Sequence, residues 1–272
     1  MTGQKMIKSV QIFLLLILGT YSFQSFALPS AKRLFQSVYG YKVSCQLCHT
    51  QGGGSRRNSY GNAFHHAGFD LLAFKKIEEL DSDQDGIKNL QEILAKSNPG
   101  DTKSIPSAPG DWLQKADEIN IPNSELLKIF PDSDQFGGLE GELTSGQVVA
   151  AEKILERSLI PEEKVPTYYF SIKNTKKVGV AQVIESSKNH DTKIILGVGI
   201  SQDGKIHCVV SLKSHSKVSG LEAFLKRLEG HGVETLVKVL DEKTVVDPSI
   251  AKDVVNSVRG MLVVMNQVFG AS

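Results

Sequence analysis

Three cysteines in 272 residues are too few for the dense disulfide framework of a small secreted scaffold. Methionine is absent between Met6 and Met261, so the long middle of the chain offers no thioether ligand. Neither sign of charge is in excess: 31 basic against 30 acidic residues leave a formal net charge of +1. That balance lacks the basic surplus on which nucleic-acid binding rests. Long apolar runs are also missing. The one pronounced stretch, Ile12 to Leu18, is too short and too soon interrupted to span a membrane.

What that stretch does offer is an export signal. Lys5 and Lys8 precede it, and Ser25-Phe26-Ala27 places small residues where a signal peptidase reads. Residues 1–27 are therefore expected to be a signal peptide. The mature chain then begins near Leu28, in a bacterial periplasm or outer envelope, with no transmembrane span.

Two of the three cysteines stand in Cys45-Gln46-Leu47-Cys48-His49. A C-x-x-C is open to several readings: a redox dithiol, half of a zinc site, or a disulfide in an exported chain. No second C-x-x-C completes a zinc site, and an imidazole follows at once. That spacing points to covalent haem c, with thioethers from Cys45 and Cys48 and His49 as the proximal iron ligand. The sixth position is expected to fall to one of His65 and His66. Adjacent helical residues point about 100° apart, so only one of the two can face the iron.

A second motif runs from Asp81 to Glu92, DSDQDGIKNLQE, and matches a twelve-residue calcium loop. Asp81, Asp83 and Asp85 bring three carboxylates to one turn, and Gly86 supplies its positive backbone angle. Ile87 would give its carbonyl, Asn89 a side chain or a bridging water, and Glu92 two oxygens. Calcium is abundant outside the cell, so such a loop suits a permanent staple better than a sensor. The run from Cys45 to Asp101 resembles small c-type cytochrome modules of exported bacterial proteins. These modules join C-x-x-C-H to an N-x-x-G element, here Asn58 to Gly61, and to a D-x-D-x-D-G repeat.

Past Pro106 the composition shifts. The division expected is a haem and calcium-loop domain over 28–106, a linker over 107–120, and a second domain over 121–272. The second domain reads as α+β. A helix opens at Ser124, which is its expected cap, and another covers Ser145 to Leu159. Four strand runs lie near 168–172, 179–184, 193–200 and 205–212, and helices follow at 220–228 and 250–269. The lone Trp112 is expected at the junction between the domains.

This second half resembles the FMN-binding domain of sodium-translocating quinone reductases and related electron-transport complexes. Ile129-Phe130-Pro131-Asp132, Lys177 to Ala181 and Val198 to Ile206 carry the likeness. The resemblance implies a threonine esterified to flavin phosphate before the last helix. Here Val246-Asp247-Pro248 stands at that place, so a proline replaces the threonine. Thr244 and Ser249 are the remaining hydroxyl candidates for FMN. The fold class expected is therefore a small, mostly helical domain followed by an antiparallel-sheet α+β domain.

The functional expectation is an exported monohaem cytochrome in single-electron transfer, serving redox partner proteins or a membrane electron-transport complex, possible relay with a flavin included. The alternative is a haem-based sensory or binding module with an open iron site and a flavin-free docking half. No group of acid, base and substrate residues argues for an enzyme.

Overall fold

Leu34, Phe35 and Val38 recur at helical spacing, and Pro29–Tyr39 forms helix α1. Its apolar face enters an aromatic core with Tyr60, Phe64 and Phe74. Phe64 stacks on Phe74 with centroids 4.2 Å apart, and Phe35 meets Phe74 edge-on at 5.6 Å. The structure is a computed structural model that describes residues 29–51, 55–186, 194–214, 217–241 and 246–270. The expected signal segment and Thr244 lie outside the described residues.

Three short helices complete the helical part. Helix α2, Ser59–His66, is capped by Asn58, and helix α3, Leu71–Lys76, by Asp70; each cap side chain accepts a backbone N–H three residues on. Helix α4, Asn89–Ala95, follows the acidic loop and ends at Lys96 in the left-handed region. The segment expected as a linker packs along this part. Trp112 is buried in the aromatic core, and its indole N–H donates to Lys96 O at 3.0 Å. The Lys32 ammonium donates to the carbonyls of Ala116 and Glu118. A large buried ring and three satisfied polar contacts hold the segment there.

The remainder is a five-stranded antiparallel sheet whose order follows the chain: β1 Gln135–Glu140, β2 Thr167–Lys173, β3 Lys176–Glu185, β4 Ile194–Ser201, β5 Ile206–Ser214. The fold is thus of the mixed α+β class. Helix α5, Asn123–Ile129, precedes the sheet. It starts one residue before the expected cap, after Pro122, while the Ser124 hydroxyl donates to Glu125. The helix expected over Ser145 to Leu159 ends four residues early. Helix α6, Ser145–Leu155, stops at Glu156, whose φ is 55°, and helix α7, Pro161–Lys164, restarts at a proline. Between them Arg157 turns to make a bidentate pair with Glu163 at 2.8 and 2.6 Å.

Strand alternation sends Ile194, Leu196, Val198 and Ile200 to one face, where helix α8, Leu221–Lys226, and the long helix α9, Pro248–Phe269, cover them. The other face receives α5. Ile129 lies over Gly197 and Gly199, where any Cβ would collide with its side chain. Those two glycines let the helix approach the strand directly.

One buried cation ties the two parts together. Arg33, 8% exposed on α1, donates to Glu140 and Glu142 at 3.3 Å and to Gly141 O at 3.2 Å. Among the described residues no helix is long and apolar enough to cross a membrane.

Candidate functional site

The C-x-x-C-H stretch is a single 3-10 turn, Cys45–Leu47, capped by the Ser44 hydroxyl accepting from Gln46 N. Cys48 N and His49 N both donate to Cys45 O, which draws the two thiols and the imidazole to one side of the chain. The turn is clamped from behind. The Asn58 amide donates to Gln46 O and Leu47 O at 3.0 Å, and its oxygen accepts from Gly61 N at 2.8 Å. Asn98 donates to the same Gln46 carbonyl at 3.1 Å. Gly61 passes so close to the Cys48 carbonyl, and Gly100 to the Asn58 amide, that neither has room for a Cβ. The N-x-x-G element seen in the sequence is therefore the bracket that holds the thiols in place.

His49 is 6% exposed, and its Nδ1 stands 2.6 Å from Ser55 O. A carbonyl only accepts, so Nδ1 carries the proton and Nε2 keeps its lone pair. Burial lowers the imidazole's pKa, which favours the neutral form a metal needs. Neither Cys45 nor Cys48 is in a disulfide. Burial pushes the Cys48 thiol up to about 12, the reverse of the depression a nucleophilic redox cysteine requires.

These three side chains open on a cavity of about 50 Å³ at the seam between the helical part and the sheet. Phe69, Phe74 and Ile119 give it apolar walls, while Arg57, Glu140 and Thr167 give it polar ones. The donor set fits haem: two thiols outside any disulfide, an oriented imidazole and apolar walls. The enclosed space takes only the edge of a macrocycle as the two parts stand, so accommodating a whole one requires the seam to widen. His65 and His66 sit in the last turn of α2, the first half-buried and the second exposed, and neither lines this cavity. Its lining supplies one imidazole and no methionine.

The acidic loop is pre-shaped. Asp81 accepts from Gln84 N and Gly86 N, Asp83 from Asp85 N, and Asp85 from Ile87 N. Gly86 has φ 95° and Gln84 φ 68°, the positive angles the tight turn demands. Asp81, Asp83 and Asp85 present carboxylate oxygens all within 4.8 Å of one another. The second oxygens of Asp83, Asp85 and Glu92 are buried without a hydrogen-bond partner among the described residues. Glu92 is fully buried, and its pKa rises to about 8 through burial first and the charges of Asp83 and Asp85 next. Three unpartnered buried carboxylate oxygens facing like charges fit a divalent cation with oxygen preference. Asn89 has a different task from the one expected. Its amide closes the loop, donating to Ile77 O and Ser82 Oγ and accepting from Ser82 N.

The start of α9 does not fit a flavin phosphate. Asp247 caps the helix, accepting the N–H groups of Ser249 and Ile250, and the Ser249 hydroxyl donates to the same carboxylate at 2.6 Å. The donors that an anion would use are already taken by a fixed negative charge. Cys208, the third cysteine, is half-buried against the α5 side of the sheet, with its thiol pKa raised by burial.

Asn98 and Ser55 escaped the sequence reading. Asn98 looked like a helix stop before Pro99, and Ser55 contributes only a backbone carbonyl, which no side-chain pattern announces. Thr167 was equally silent. No family model, no curated protein and no solved structure matches this chain.

Proposed function

We propose that the chain is an exported monohaem c-type cytochrome that carries single electrons, with a calcium-stapled loop beside the haem and a sheet half that serves as scaffold and docking surface. The observation that carries the reading is the pairing of two thiols outside any disulfide with a histidine whose Nδ1 is held by Ser55 O. When bound, haem supplies a one-electron iron couple. The rest is the work of this chain's own residues. Cys45 and Cys48 anchor, the Nε2 of His49 ligates, Ser55 fixes the ring, and Asn58 with Asn98 keeps the turn rigid. Asp81, Asp83, Asp85, Glu92 and the carbonyl of Ile87 would hold calcium. FMN is not part of the proposal, given the Asp247 cap.

The test is a spectrum of protein exported in a host able to attach c-type haem, oxidised and then dithionite-reduced, followed by acid precipitation. Sharp reduced bands that stay with the precipitate support the reading. A protein without any Soret absorption sinks it.

A second reading has one observation in its favour. Since neither His65 nor His66 lines the cavity, an iron held by His49 alone would keep an open position, as in a sensor of small gaseous ligands. Carbon monoxide that shifts the reduced spectrum favours this version; an unperturbed spectrum favours the six-coordinate carrier.

A further inference from the structure

Beside the thiol cavity lies a larger cleft of about 320 Å³, and Thr167 lines both. It runs around the open end of β2 and β3, bounded by α7 and the middle of α9. The charge of its lining is one-sided. Asp70, Glu162, Glu163, Glu185 and Asp253 contribute five carboxylates, and Arg157 is the one basic side chain among the lining residues. Arg157 is already paired with Glu163. The acidic rim is joined by an apolar floor, since Met261 and Val264 of α9 and Ile160 before α7 also line the cleft.

Within this lining the Oγ1 of Thr167, in a residue 7% exposed, and the Oε1 of Gln182 are buried with no hydrogen-bond partner among the described residues. The amide oxygen can only accept, and the hydroxyl can accept as well as donate. A buried acceptor left empty is a standing cost that a ligand N–H would relieve. An anion is repelled by the rim; a positively charged donor is drawn in.

We propose that this cleft binds a small organic amine, with its ammonium held by the acceptors and carboxylates of the rim and its apolar body against Met261 and Val264. The site is distinct from the thiol cavity and does not depend on haem. It adjoins that cavity through Thr167, so an occupant would stand next to the attachment turn.

Calorimetric titration of the full exported chain at low salt and neutral pH, with and without haem attached, tests the idea with three probes. They are 2-phenylethylamine, phenylacetate as its anionic counterpart of similar shape, and methylamine, which lacks the apolar body. Binding of 2-phenylethylamine at least tenfold tighter than either other probe is expected, in both preparations. Thr167→Val and Gln182→Leu should each weaken that binding roughly tenfold, the value of one lost hydrogen bond, with no fall in thermal midpoint. Equal binding of phenylacetate, absence of amine binding, or variants that bind as the parent does would overturn the proposal. Loss of haem bands with amine binding intact would instead count against the cytochrome reading alone.

Discussion

The Nδ1 of His49 and the carbonyl oxygen of Ser55 stand 2.6 Å apart, and that contact fixes which nitrogen of the ring is left to bind metal. It also makes the haem-free chain sensitive to acid. Burial holds the imidazole's pKa below the usual 6.5, so the unfolded state binds more protons than the folded one as the pH drops through 6.5. Urea unfolding of the haem-free protein should therefore show stability present above about pH 6.5 and lost below it. His49→Gln should flatten that slope.

Glu92 acts in the opposite direction. With its folded pKa raised to about 8 from 4.5, the folded state binds the extra proton between those values. Calcium-free protein should lose stability as the pH rises from 4.5 to 8, and calcium should reverse the trend by pairing with the carboxylate. At pH 7, calcium binding should release close to one proton, measured by calorimetry in buffers of different ionisation enthalpy. Glu92→Gln should abolish the release and weaken calcium binding by roughly a hundredfold.

Asn58 satisfies three backbone groups behind the thiols, two of them carbonyls of the turn. Asn58→Ala strands Leu47 O and Gly61 N in a buried place, while Gln46 O keeps the Asn98 amide, and should cost about 2–4 kcal/mol in denaturant unfolding. Gly61→Ala should be comparably harmful despite alanine's better helix propensity, because its Cβ meets the Cys48 carbonyl, which is backbone and cannot step aside. Both variants should lower the fraction of chain that acquires covalent haem.

Arg33→Ala removes the cation shared by Glu140, Gly141 and Glu142. A loss of about 3 kcal/mol is expected, since Glu140 stays largely buried beside the cavity without its partner. Amide exchange should quicken at 139–142 and along α1 while the strands of the sheet keep their protection.

Asp247→Ala should cost about 1 kcal/mol through loss of the α9 cap. Together with Pro248→Thr it frees the helix start and supplies a hydroxyl. Flavin attached to the double variant, and not to the parent, would show that the present residues exclude the phosphate.

The strands were legible where side chains alternate. Tyr168 to Ile172 alternates with polar residues, Val198 stands in a run rich in isoleucine and valine that is buried on both faces, and β2 to β5 fall near the four expected runs. Strand β1 was not, because Gly137 and Gly138 at its centre carry no side chains to alternate. The thiol turn and the acidic loop were legible because their chemistry depends on fixed spacing of specific side chains. The sixth-ligand expectation rested on proximity in sequence, and α2 carries both histidines away from the cavity wall. Trp112 was expected at the junction between the domains, but that it lies in the aromatic core of the helical part and donates to Lys96 O was not readable from a lone indole in a linker.

Each strand of the sheet pairs only with its neighbours in the chain, and the longer of the two helices over its Leu196 face is the last described element. Synthesis consequently produces a finished meander before its lid exists. For that interval the aliphatic face with Ile194, Leu196, Val198 and Ile200 has only α8 to cover it, and the rest is open to any sticky neighbour. A chain cut before α9 would carry that face permanently and should be recovered only as aggregate or not at all. The closing helix is thus a completeness check, read by solubility.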